Sequence, residues 1–265
     1  MIRVAPASEP ASFDGKVRRR GLDAIAELVG EAPSRTRRGP GRQRSFASRD
    51  QIAAAAFPPF WRDALPDLRD AYCGLCAYLA LYIEHGTGAP SIDHFVPKSK
   101  DWRMVYEWSN YRLCSSLING HRGDRAIAHD PFLLEAGLFA LEFTEHQVIP
   151  GLLARGRTSD AVMRTIDNLG LNQRDCRKAR EEYVAAYRMA RRRASHFPGS
   201  NAVRRSSPRS SAARGCWSAE ISEPDRTVGG ALCRRIRRVA SCRRCRVLLA
   251  SRRWRLSRWF RSVTR

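Results

Sequence analysis

No apolar run in this chain of 265 residues approaches the roughly 18 residues that a membrane-spanning helix requires, so a place within a bilayer is not expected. The first ten residues lack the continuous apolar stretch of a signal peptide, because Pro6, Glu9 and Pro10 interrupt it, and the expectation is a cytoplasmic protein. No internal repeat is visible. Acids are scarce: 26 Asp plus Glu stand against 48 Lys plus Arg, a formal net charge of +22. An excess of this size points to an anionic partner, and nucleic acid is the commonest, since each neutralised phosphate releases counterions. What is present suffices for a core, for 43% of the residues are hydrophobic. That content argues against a fully disordered chain and suits one sizeable domain or two. Eight cysteines in a cytoplasmic chain do not imply disulfides.

The charge is unevenly placed. Residues 199–265 contain 18 Arg, no Lys and only three acids (Glu220, Glu223 and Asp225), leaving the first 198 residues mildly basic. Three readings suit this segment: an Arg-rich nucleic-acid arm, a partial zinc knuckle formed by Cys233, Cys242 and Cys245, or a GC-rich gene read out of frame. Its irregular pattern is expected to be disordered or a frameshift product. Upstream, Leu22, Ile25, Ala26 and Leu28 are spaced as on a short helix. Residues 33–44, with five arginines, two glycines and two prolines, read as a basic loop. Helical spacing returns over 49–56 and 61–72, while the apolar stretch 73–83 suits helix or strand. Residues 91–97 form a short strand stopped by Pro97, and a helix is expected from about Ser115 to Gly123. Everything beyond looks helical, ending in an amphipathic stretch in which Cys176, Ala179, Tyr183, Ala186, Tyr187 and Ala190 share a face.

The residues able to do chemistry lie between 91 and 124. Asp93-His94 ends the strand, Asn110 follows sixteen residues after the histidine, Asn119 nine residues later, and His121 and Arg122 come next. Phosphodiester hydrolysis needs an activated water, and a histidine with an ordinary pKa of about 6.5 can take its proton at neutral pH. It also needs a cation to stabilise charge on the phosphoryl oxygens. One carboxylate and one amide oxygen would leave most of a Mg²⁺ coordination sphere to water and phosphate. Lys98, Lys100, Arg112 and Arg122 are cations nearby, suited to phosphate contacts or to solvated surface.

This ordered set, in Asp-His-Phe-x-Pro-Lys, Glu-Trp-Ser-Asn-Tyr-Arg-Leu-Cys and Asn-Gly-His-Arg-Gly-Asp, resembles the HNH nuclease motif of the ββα-metal type. The resemblance implies His94 as general base, Asp93 and Asn119 as ligands of Mg²⁺ or Mn²⁺, and Asn110 as the catalytic-site brace of the hairpin. His121 is a further candidate ligand. Arg3-Val-x-Pro, Glu9-Pro, Phe13-Asp, Cys76-Ala-Tyr, Asp130-Pro-Phe132 and Thr165-Ile-x-x-Leu-Gly-Leu-Asn172 are similar to retron- and Septu-associated HNH proteins, over roughly residues 1–195. Such proteins work in bacterial anti-phage defence with an ABC or SMC-like ATPase, so DNA and an ATPase are the implied partners. Many HNH proteins also carry two CxxC pairs around zinc. Here Cys73 and Cys76 are matched only by Cys114, with Leu117 in the fourth place, so no structural Zn²⁺ is expected and Cys76 and Cys114 read as buried hydrophobes. His85 and His129 read as structural. The expected fold is α+β and mostly helical: an N-terminal segment of basic loop and helices (1–70), an HNH module (71–130), a helical region (131–198) and the basic tail (199–265). Two alternatives to an endonuclease remain open, a non-catalytic nucleic-acid-binding module and a regulatory subunit that docks an ATPase through residues 173–195.

Overall fold

Helix α1 (Arg19–Val29) grows out of a π-helical turn over Asp14–Arg18. Phe13 and Val17 at that turn and Ile25 and Leu28 on α1 are buried, so packing of an apolar stripe, rather than propensity alone, holds the helix. It stops at Gly30, whose φ of 80° is left-handed, and the Glu31 amide reaches back to the Ala26 carbonyl at 2.8 Å, as at many helix ends. A side chain at Gly21 would collide with the Tyr106 ring, 2.2 Å from the position of a Cβ, so the missing side chain lets α1 close on the segment that carries Tyr106.

The computed structural model describes residues 1–35, 41–83 and 88–195. The Arg-rich tail with its cysteines, His85 and the middle of the basic loop lie outside these residues. The chain divides into two units, 1–180 and 181–265. In the second, the described residues are 181–195, which are helical. The architecture is α+β, with helices and two separate two-stranded antiparallel sheets. Among the described residues no helix is long and apolar enough to cross a membrane.

The helical spacing over 49–56 gives only two isolated 3-10 turns, Arg49–Gln51 and Ala54–Ala56. So short a segment, stopped by Pro58-Pro59, has no length to repay helix nucleation. A further 3-10 turn, Phe60–Ala64, leads into α2 (Leu65–Ala71), where Pro66 occupies a first-turn position in which its missing N–H costs nothing. Residues 73–83 form neither element. They fold into a tight reversal with one bridge between Leu75 and Tyr82, carrying Cys73 and Ala80 at positive φ, and the Ala77 amide donates to the Leu113 carbonyl at 2.8 Å.

Strands β1 (Pro90–His94) and β2 (Tyr111–Ser115) pair antiparallel, with Asp93 opposite Arg112 and His94 opposite Tyr111. Helix α3 (Ser116–Arg122) follows directly, capped by Ser115, whose Oγ accepts from the Ile118 amide; this is the favoured N-cap chemistry. Beyond it the expectation of helix throughout is corrected. Strands β3 (Phe139–Leu141) and β4 (Val148–Pro150) form a second hairpin. Three-residue strands leave almost no periodicity to read, and this hairpin is held from outside: Asn172 accepts from the Val148 amide at 2.7 Å and donates to its carbonyl at 2.8 Å. Helices α4 (Arg157–Leu169) and α5 (Arg174–Ser195) complete the described chain, with Val162, Ile166, Leu169 and Cys176 in the core.

Candidate active site

The end of β1, the loop 95–110, β2 and α3 bring the sequence candidates together. Successive strand residues face opposite sides, and here both sides are buried, leaving Asp93 3% and His94 7% exposed.

Asp93 faces α3 and the 73–83 reversal. Its Oδ2 accepts from the Tyr78 hydroxyl and its Oδ1 from Arg122 Nη1. Burial, then the carboxylate, push the Tyr78 phenol well above its ordinary pKa, so it stays a proton donor. Arg122 Nη1 also donates to the His94 carbonyl at 2.7 Å, and Nη2 donates to the Phe95 carbonyl at 2.6 Å. The guanidinium therefore ties the end of α3 to the end of β1, with its Nε buried and unpartnered among the described residues.

His94 faces the other way. Its ring stands edge-on to Trp61 at 5.0 Å and Tyr111 at 5.2 Å, and Nε2 lies 3.0 Å from the Val105 carbonyl. A carbonyl can only accept, so the neutral ring carries its proton on Nε2 and a lone pair on Nδ1. Burial above all, then Lys98 and, less strongly, Arg122, lower the pKa to about 4 against the opposing Val105 bond. The imidazole is thus neutral at pH 7, the form a general base requires. The Val105 carbonyl is itself held by the Tyr111 hydroxyl at 2.9 Å.

Asn110 is spent on the loop. Its Oδ1 accepts from the Val96 amide at 2.7 Å, and Nδ2 donates to the carbonyls of Val96 (3.1 Å) and Met104 (2.9 Å). It clasps both ends of the segment that places Val105 beneath His94. Asn119, half-buried on α3, donates through Nδ2 to Ser91 Oγ at 2.6 Å and to the Ile92 carbonyl at 3.2 Å, next to Asp93 along β1.

The fit to a divalent cation is poor in this arrangement. Mg²⁺ demands near-octahedral oxygen coordination, whereas both oxygens of the buried Asp93 carboxylate already accept hydrogen bonds, and the positive charge beside them is Arg122. Among the described residues no group of three His, Cys, Asp or Glu could hold a metal. His121 does not join the site: its Nε2 lies 3.3 Å from the Asp167 carbonyl, and Gln173 Nε2 lies 3.0 Å from its Nδ1. It packs against Gly170, the left-handed residue ending α4.

Two of the four expected phosphate contacts are corrected. Arg112 is buried, bonded through Nε and Nη2 to Asp130 at 2.9 and 2.6 Å and stacked 3.6 Å over Phe132. Arg122 is 1% exposed. A buried guanidinium needs an opposite charge beside it, and Asp130 and Asp93 provide one for Arg112 and Arg122. Lys98 is half-buried with Nζ 4.3 Å from the Trp61 ring centroid, and Lys100 is exposed. Cys76 and Cys114 lie in the core, where burial raises both thiol pKa values and disfavours zinc-binding thiolate. Cys73 is half-buried in the strained reversal, and Leu117 packs against the core. His129 bonds Thr165 at 3.0 Å.

The sequence reading passed over Trp61, Arg62 and Tyr78. Tyr78 had a signal in the Cys76-Ala-Tyr triplet, whereas no spacing connects Trp61 with a histidine 33 positions later. No protein-family model matches this chain, and a search of curated proteins finds no significant match.

Proposed function

We propose that the chain is an HNH-type endonuclease that hydrolyses phosphodiester bonds in DNA and serves as the nuclease component of a bacterial anti-phage system working beside an ABC or SMC-like ATPase in the cytoplasm. The observation that supports it best is His94: a neutral imidazole whose Nε2 proton is held by the Val105 carbonyl, leaving Nδ1 as a proton acceptor at the end of a hairpin followed by a helix. In this reading a water molecule gives its proton to Nδ1 and attacks phosphorus in line. The bond to the leaving oxygen breaks, solvent protonates that oxygen, and the ends carry 5′-phosphates as the family resemblance implies. Lys98 and Lys100 supply cations for the backbone phosphates. Asn110 keeps the base oriented by clasping the loop.

The Mg²⁺ or Mn²⁺ implied by the resemblance would be held by Asp93 and Asn119, and Asp93 would first have to exchange Arg122 for the ion. That closed ion pair favours the second reading, a nucleic-acid-binding module that keeps the fold without cutting. One assay separates the two: plasmid cleavage with EDTA, Mg²⁺ or Mn²⁺, by wild type and His94→Ala, with and without a co-expressed ATPase. Cleavage that disappears in the variant supports the nuclease. Retained cleavage by His94→Ala removes the base assignment, and DNA binding without cleavage under every condition supports the module.

A further inference from the structure

Trp61 lies against His94 and Lys98 against Trp61, with Arg62 next to Trp61 in the chain, and neither ring contact is required by the hydrolytic step itself. Trp61 is half-buried, with its ring against His94 on one side and the Lys98 ammonium on another. Tyr106 backs it at 6.1 Å, and its phenol is anchored on the Pro58 carbonyl at 2.8 Å. The indole is therefore held in place by aromatic packing while part of it stays at the surface.

The cations here differ from several others among the described residues. Arg20 is paired with Asp63, Arg42 with Glu27, Arg49 with Glu31 and Arg103 with Asp101. No carboxylate among the described residues lies within ion-pair distance of Arg62 or Lys98. Arg62 is exposed and follows Trp61 directly in the chain; burial lowers the Lys98 pKa, Asp124 acts the other way, and Arg62, the smallest of the three influences, adds to the lowering. Two cations with no carboxylate in ion-pair contact among the described residues, beside an aromatic ring and a general base, have the chemistry of a nucleotide site: cations for phosphate and a π-face for a base.

We propose that Arg62 and Lys98 hold one backbone phosphate next to His94 while the Trp61 ring stacks the adjoining base, so that the strand entering the site is single-stranded DNA. The inference rests on the nuclease reading for its function but not for its binding. In a duplex the base faces are already covered by neighbouring pairs, and only an unpaired base can be taken onto an indole. Lys98 moves from the ring to the phosphate as the base arrives. The ring contact is indifferent to sequence, because every base has a π-face.

The test measures binding of the full chain in EDTA to a labelled single strand and to a duplex of the same sequence, by fluorescence anisotropy across a salt series. Raised salt weakens the sequence-independent contribution of the arginines in residues 199–265. Trp61→Ala should weaken single-strand binding about tenfold and leave duplex binding unchanged, while Trp61→Phe should keep most of the affinity. Arg62→Ala, at an exposed position, should lower the salt slope for the single strand by about one, and Lys98→Ala should do the same. Equal binding of Trp61→Ala and wild type to the single strand overturns the proposal, as does an unchanged salt slope in both cation variants or a Trp61→Ala loss equal for strand and duplex. Single-strand binding that depends on Trp61 without cleavage by any variant sinks the nuclease reading and keeps the stacking site. Duplex cleavage that needs His94 but not Trp61 does the reverse.

Discussion

At the scale of single residues, His94 and Asp93, neighbours on β1, lie in different surroundings, one among rings and one against a guanidinium. The imidazole is surrounded by rings and sheds its charge, with a pKa near 4 against an ordinary value of about 6.5. The unfolded chain therefore binds a proton at that site that the folded chain refuses, and stability is complete above about pH 6.5 and falls as pH drops toward 4. In metal-free protein the loss assigned to His94 should be on the order of 3 kcal/mol, and His94→Gln should flatten that part of the profile in urea unfolding at stepped pH. A slope identical in the two proteins would disprove the burial argument. Asp93 is paired with Arg122 and Tyr78. Arg122→Gln leaves a buried carboxylate without its cation and should cost roughly 3–5 kcal/mol, whereas replacing Asp93 and Arg122 together by apolar residues should cost less than the single change; a double-mutant cycle in denaturant measures both. Because both oxygens of Asp93 are engaged, adding Mn²⁺ to the wild-type chain alone should leave its Tm unchanged, and a Tm that rises with Mn²⁺ in wild type but not in Asp93→Asn would refute the closed arrangement.

At the scale of elements, the loop 95–110 depends on one side chain. Asn110 makes three hydrogen bonds across it, and an aspartate at this place could accept but not donate to the carbonyls of Val96 and Met104. Asn110→Asp should therefore destabilise the protein by roughly 2–3 kcal/mol and open the loop to limited proteolysis, with cleavage sites mapped to 95–110. Digestion no faster than wild type would show that the clasp is dispensable. The outline of this unit was legible in its punctuation: Pro97 beyond the strand, and a helix from about Ser115 to Gly123. The β3–β4 hairpin was not legible, because its strands are three residues long and its register is pinned by Asn172 from a distant turn. Likewise 73–83 was apolar enough for either regular element, and positive φ at Cys73, Gly74 and Ala80 made it a reversal.

At the scale of the whole molecule, the excess positive charge should make DNA affinity fall steeply with salt. In the described residues, however, many guanidiniums are internal fasteners: Arg18 bridges Glu9 and Glu107, Arg112 holds Asp130, Arg122 holds Asp93, and Arg180 donates to the carbonyls of His146 and Leu171. Composition counts them alike, and only burial separates fastener from contact. By itself the sequence determined that Asp93, His94, Asn110 and Asn119 fall on a strand end, a loop and a helix in one compact stretch, because turn and cap residues act over a few positions. The direction in which each side chain points was decided by tertiary structure: Asp93 turned to Arg122 instead of open solvent, His121 to the turn after α4, and Trp61, from a segment before α2, laid against His94. Those choices depend on which distant surfaces meet and what water they exclude, and no local spacing in the chain records that.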